Sequence, residues 1–175
     1  MPGFGLLHLL FLTAFSVCAA DQGHGRVTLN GQIQTAACTV STEDVWQEIS
    51  FGSHPLKDFT RYSATEVSKD FSLNLVNCIL EKEKGGEWES VEITFDGPRE
   101  PDDPSLFVLS GDGAGIAMRI TDDYGHPAIA GEPMPKVPLS NEVTNLNYHL
   151  HLVANGKQLH SGDISTSLRF IVVYQ

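Results

Sequence analysis

Apolar residues recur at every second position through most of the chain, and that period leaves room for little but β-strands. Phe71, Leu73 and Leu75 alternate with Ser72 and Asn74, and Val91, Ile93 and Phe95 alternate with Glu92 and Thr94. Leu146, Tyr148, Leu150 and Leu152 do the same around Asn147, His149 and His151, as do Leu168, Phe170, Val172 and Tyr174 at the C-terminus. Near the N-terminus Val27, Leu29, Gly31 and Ile33 alternate with Thr28, Asn30 and Gln32, and shorter apolar stretches lie at 106–109 and 116–120. Successive side chains of a strand point to opposite faces, so each run predicts a strand with one face inward. Turn residues punctuate the runs at Lys84-Gly85-Gly86, Asp96-Gly97-Pro98, Gly111-Asp112-Gly113, Tyr124-Gly125 and Asn155-Gly156. The last lies between two alternating stretches and predicts a hairpin. Helical periodicity is nearly absent; a short turn over 42–47, with Ser41 or Thr42 as cap, is its best candidate. Seven or eight strands at this spacing predict an all-β sandwich.

The first twenty residues stand apart. An apolar stretch from Leu6 to Val17 runs into Cys18-Ala19-Ala20, with no Lys or Arg before it. A short apolar run ending in small residues reads as a secretory signal peptide, cleaved before Asp21. Cys18 raises a lipid anchor, but Phe15-Ser16-Val17 lacks the small residues of such a site. Export makes the remaining pair, Cys38 and Cys78, most simply a disulfide. It would close a loop of roughly 40 residues, worth roughly 4 kcal/mol in the chain-entropy view. A zinc site would need further ligands close by, and none flank either cysteine. The formal charge of −11 falls wholly after residue 20, which argues against nucleic acid and against anionic lipid as partners.

Three landmarks then fall in order along the chain. Gly25 to Ile33 is followed by Ala36, Ala37, Cys38 and Val40; an alternating strand ends in Asn77-Cys78; and Gly162 and Tyr174 stand fourteenth from the end and next to last. Together they resemble the chaperone–usher pilins, the fimbrial subunits of bacterial surface fibres. The resemblance implies an incomplete immunoglobulin-like sandwich that lacks its final strand and is completed by donor-strand complementation. It divides the chain into a signal peptide (1–20), a donor-strand extension (21–35) and a pilin domain (36–175). Gly25, Val27, Leu29, Gly31 and Ile33 would then form the donor strand. Gly162, Leu168, Phe170, Val172, Tyr174 and Gln175 would form the acceptor groove and chaperone contact. The implied partners are a periplasmic pilus chaperone, an outer-membrane usher and neighbouring pilin subunits, with export through the periplasm to the cell surface. Without the landmarks, the terminal strands would read as edges of an ordinary closed sandwich.

Position in the fibre is a finer question. Trp46, Trp88 and the many histidines lean towards a minor subunit. The stretch from Ala37 to Gln47 resembles the terminating, base-anchoring subunit of P pili. So do 94–97, 109–111, 130–131, 134–139 and 155–157. Adaptor or major structural pilin stays the alternative.

Other chemistry is thin. His149 and His151 share one side of a strand, as in the disulfide-bonded β-sandwich of copper–zinc superoxide dismutase, and could hold a metal. The plainer reading is the solvent face of a strand whose Leu150 and Leu152 point inward. Gly111 to Gly115 lacks the Lys-Ser/Thr of a phosphate loop, and Glu100, Asp102 and Asp103 lack calcium-loop spacing. No nucleophile elbow or zinc-protease motif occurs. A single-domain lectin would need Trp46 or Trp88 exposed beside a shallow groove. The sequence thus predicts no catalytic residue, cofactor, metal or small-molecule substrate.

Overall fold

The computed structural model describes residues 36–59, 67–141 and 144–175. The expected signal peptide, donor extension and donor residues Gly25, Val27, Leu29, Gly31 and Ile33 lie outside the described residues.

Among the described residues are eight strands and one 3₁₀ turn (Leu56–Phe59): β1 (Thr39–Val40), β2 (Val67–Val76), β3 (Ser90–Asp96), β4 (Phe107–Val108), β5 (Ile116–Asp122), β6 (Val137–Pro138), β7 (Thr144–Ala154) and β8 (Arg169–Tyr174). Every described pairing between these strands is antiparallel. One sheet has the order β1-β2-β7-β5-β4 and the other β6-β3-β8. Within the described residues the alternating runs read from the sequence became β2, β3, β7 and β8, and the shorter apolar stretches at 106–109 and 116–120 hold β4 and β5; β6 is too short to leave a period and went unread.

The two sheets meet across the inward faces the alternation predicts. Leu73, Leu75, Leu146, Tyr148, Leu150 and Leu152 from the larger sheet are buried, as are Val91, Ile93 and Phe95 from the smaller. Phe95 crosses the interface to stack edge-on against Tyr148, with ring centroids 4.9 Å apart, and Phe71 packs within 5.9 Å of Phe95. Edge-to-face geometry suits the ring quadrupoles, so this trio fixes how the sheets seat on one another.

Two expectations change. Asn155-Gly156 does form a turn, with Gly156 at φ +81° and the Lys157 amide donating to Asn155 Oδ1 at 3.1 Å. It is not a hairpin: β7 pairs with β2 and β5, while β8 pairs with β3, so the chain after this turn crosses to the other sheet. Residues 42–47 make turns rather than a helix. The Asp44 amide donates to Ser41 O, and the buried Asp44 carboxylate accepts from the Asn74 amide (2.7 Å) and the Asn74 side chain (2.9 Å). Anchoring to β2 thereby wins over helical propagation.

The disulfide joins Cys38, just before β1, to Cys78, two residues past β2. Between β2 and Cys78 stands Asn77, at φ +53° the one non-glycine residue with positive φ among the described residues. Asn tolerates this left-handed region better than other side chains. It turns the chain so that the Ile79 amide reaches Ala37 O at 2.7 Å and Cys78 meets Cys38. The Asn-Cys pair is therefore a geometric device. Asn77→Ala is expected to lower stability by about 1 kcal/mol and Asn77→Gly to be nearly neutral, as read by equilibrium urea unfolding.

Candidate functional site

The last strand keeps all of its inward side chains incompletely covered. Phe170, Val172 and Tyr174 point inward but stay half-buried, whereas their register partners Phe95, Ile93 and Val91 on β3 are 3%, 1% and 0% exposed. On the outer side Ile171 and Val173 are 53% and 44% exposed.

The backbone explains why. Gln175 and Ser90 exchange both hydrogen bonds, at 2.9 and 3.3 Å. In an antiparallel ladder such pairs alternate with pairs whose polar groups point away. Val173, Ile171 and Arg169 therefore bond to β3, while the amides and carbonyls of Phe170, Val172 and Tyr174 face the opposite edge. No described residue pairs with that edge. The residues with incompletely covered side chains are thus the residues with unpaired backbone groups. One further strand would satisfy both.

Across the gap stands β1, only two residues long and bonded to β2. At one end the gap is bridged: the Tyr174 hydroxyl donates to Cys38 O at 3.0 Å. Burial pushes the Tyr174 phenol above its ordinary pKa, which keeps it a donor. Trp88 backs this tyrosine edge-on at 6.3 Å, and the Lys82 ammonium sits 4.4 Å above the Trp88 ring. At the other end Leu168 lies against Gly97, where a Cβ would come within 2.4 Å of the leucine methyl.

Of the residues expected to form the site, Leu168, Phe170, Val172, Tyr174 and Gln175 lie together along β8 and its ends. A Gln175 carbonyl oxygen accepts from the Glu89 amide at 2.8 Å. Its side chain donates to Glu92 at 2.6 Å and accepts from the Lys136 ammonium. Gly162 stands outside the strand. It presses against the loop at Asp112 and Gly113, where a Cβ would lie 2.4 Å from backbone atoms of both. Gly111 and Gly115 make matching close approaches, to Asp163 O and Gln158 O. The glycine run read as a turn is half of a backbone interlock that holds the segment leading into β8. Missed in the sequence were Trp88 and the Tyr174–Cys38 bond, for which no local pattern exists.

His149 and His151 do share the solvent side of β7, with Leu150 and Leu152 buried opposite. No group of three metal-ligating side chains occurs among the described residues. Trp46 is 85% exposed, and Trp88 is the half-buried neighbour of Tyr174.

A family model described as fimbrial protein matches residues 27–175. The chain is 38% identical over 154 residues to the PRS fimbrial minor pilin protein of Escherichia coli, covering 86% of this chain and 77% of that one. The PAP fimbrial minor pilin protein of the same organism gives the same identity and coverage. The PRS fimbrial major pilin protein is 27% identical over 164 residues, covering 90% of this chain and 98% of that one. Among solved structures, the P pilus rod subunit PapA superposes with a TM-score of 0.68 at 22% identity, covering 80% of this chain and all of that one. A subunit from a chaperone–usher pilus superposes at 0.71 and 23% identity, covering 88% and 97%. These two likenesses establish the immunoglobulin-like pilin fold.

Amide exchange should alternate along β8. Phe170, Val172 and Tyr174 are expected to exchange faster than Ile171 and Val173, as read by residue-resolved hydrogen exchange. Gly162→Ala is expected to cost about 1–3 kcal/mol in urea unfolding, because backbone rather than a flexible side chain occupies the Cβ position.

Proposed function

The chain belongs to the fimbrial protein family, and from that membership we propose that it is a minor subunit of a chaperone–usher fibre, ending or anchoring the rod. The single observation that carries the reading is the bare edge of β8. The backbone groups that no described residue pairs and the half-covered side chains belong to the same three residues, as a β-strand acceptor requires. Backbone bonds to an incoming strand supply affinity, and alternating side chains entering the gap supply specificity.

In this reading residues 1–20 are removed on export, 21–35 reach into a neighbour's groove and 36–175 form the pilin domain. Gly25, Val27, Leu29, Gly31 and Ile33 are the donor positions. Leu168, Phe170, Val172 and Tyr174 line the acceptor edge. Gly162 holds the approach to it, and the Gln175 end is where a periplasmic chaperone grips the subunit. An outer-membrane usher then exchanges the chaperone for a neighbouring pilin, and the subunit reaches the cell surface within the fimbrium. The role is structural rather than catalytic.

The preference for a minor subunit rests on 38% identity to two minor pilins against 27% to a major pilin. The terminating role rests on the segments from Ala37 to Gln47 and near Asn155-Gly156-Lys157, and is supported by the end of the gap at Cys38, where Tyr174 already bridges β8 to the opposite side.

Strand exchange tests both levels. Donor peptides from sister subunits are added to the purified chaperone complex and chaperone release is followed. Persistent refusal, while this chain's own 22–34 peptide enters a sister subunit, is the expected result for a terminator. Release with a stable subunit–peptide product would make it an internal or adaptor pilin. A chain that purifies alone as a folded monomer would end the missing-strand reading. Gly31→Asn is expected to abolish donor insertion while leaving the chain's own fold unchanged; normal insertion would show the donor register to be wrong.

A further inference from the structure

The outer face of the five-stranded sheet carries a histidine with two carboxylates. His149 lies near the middle of β7, directly across from Asp70 on β2 and Thr121 on β5. Its Nδ1 is 2.7 Å from Asp70 Oδ1, and its Nε2 is 3.1 Å from Asp123 Oδ1, just past the end of β5. Asp70 and Asp123 lie in different elements, so the ring links β2, β7 and the loop after β5 in one step. The three residues line a shallow cleft of about 380 Å³ with Ser72 and Asn147.

The decisive feature is that both ring nitrogens face carboxylate oxygens. A carboxylate only accepts, and neutral imidazole has a single N–H. Only imidazolium, with an N–H on each nitrogen, can make both bonds. In the neutral ring one nitrogen would turn a lone pair towards a negative oxygen. We propose that His149, Asp70 and Asp123 form a proton-operated clasp that fastens the 123–126 loop to β2 and β7 when His149 is charged and loosens it when the proton leaves.

The surroundings are consistent with the charged form. The Asn147 amide donates to Asp123 Oδ2 at 3.1 Å, which holds that carboxylate in place. His126 bonds Asp122 at 2.8 Å, and the Asp122 carboxylate also receives the Tyr124 and His126 amides, so the loop is a stiff unit. His151, with its ring 6.3 Å away, is turned towards the Thr121 hydroxyl at 3.0 Å. Arg119, the β5 neighbour of His151, lies 3.9 Å from Asp103. Lys69 follows the pleat to the opposite face from Asp70. The balance of charge around His149 is therefore negative. The hydrogen bond to Asp70, joined by the bond to Asp123 and by both charges, raises its pKa above the ordinary histidine value against a smaller opposing effect of burial. With the folded pKa above the unfolded value of about 6.5, the clasp's contribution is complete below that value. It is lost as pH rises through the folded pKa.

The test is a pH titration of the imidazole ¹³C resonances on the full chain in its chaperone complex. His149 is expected to titrate above the ordinary histidine value. Asp70→Asn and Asp123→Asn should each lower its midpoint, and the pair together should return it to that value. Protection of the Tyr124 and Gly125 amides, taken relative to their intrinsic base-catalysed exchange, should fall over the same pH interval. His149→Gln, which can donate only from its amide nitrogen, should make that protection independent of pH. A midpoint at or below the ordinary value, or one indifferent to both substitutions, would overturn the clasp. A raised midpoint with loop-amide protection unchanged across that interval would overturn its hold on the loop. The clasp sits on the five-stranded sheet and the bare edge on the three-stranded one. Should the chain fold without a chaperone, the same titration runs on the free chain, so the two readings fail separately.

Discussion

The structure turns on a coincidence at three residues. Phe170, Val172 and Tyr174 each have a backbone amide and carbonyl that no described residue pairs on one edge and an apolar side chain half-covered on the inner face. These deficits need not coincide: an edge strand of a closed sandwich has the first without the second. Here they share a cause: no described strand lies beyond β8. The contrast with β2 is instructive. Beyond the two residues of β1, its edge is covered by the 41–47 turn: Ser41 donates to Asn74 O, Asp44 accepts from Asn74 and the Gln47 side chain donates to Ser72 O. Within β8 stands no Lys or Pro of the kind that blunts an edge, and its charged residue, Arg169, is paired with Asp96 at 2.6 Å. An edge so open to strand addition is a liability in a lone molecule and an asset in one that assembles.

Much of the sandwich was legible because one period governs it. Wherever one strand face is buried, alternation fixes which residues point inward; β3, β7 and β8 follow it residue by residue, and β2 does so from Phe71 onward. Alternation does not say which strand pairs with which. Asn155-Gly156 has the chemistry of a hairpin turn, yet the strands around it belong to different sheets, because β7 already has β2 on one side and β5 on the other. The two residues of β6 are defined by pairing with Ser90 and Val91 alone, and nothing in their side chains announces it.

The candidate site divides in the same way. Its inward side chains on β8 could be read from the period, and its glycine and tyrosine from a family resemblance that carries no reason with it. The reasons are tertiary. Gly162 is a glycine because the backbone of residues 112 and 113 fills the place of its Cβ. Tyr174 is a tyrosine whose hydroxyl finds a carbonyl 136 residues earlier in the chain. Trp88 supports it from before β3. Contacts of such separation leave no trace in a local window.

That long contact also ties the gap to the compartment in which the chain folds. The carbonyl that Tyr174 reaches belongs to Cys38, whose sulfur is bonded to Cys78, and Cys78 is delivered by the left-handed turn at Asn77. Disulfide, turn and hydroxyl form a series, each holding the next in place. Were Cys38 free, its carbonyl would be held only through its neighbours, by the Ile79 amide on Ala37 O and by the two-residue β1, and the tyrosine would bond a less firmly fixed partner. The disulfide therefore gives β8 a rigid post to register against. An oxidising compartment does more than stabilise this sandwich: it sets the end of the gap that the missing strand would fill.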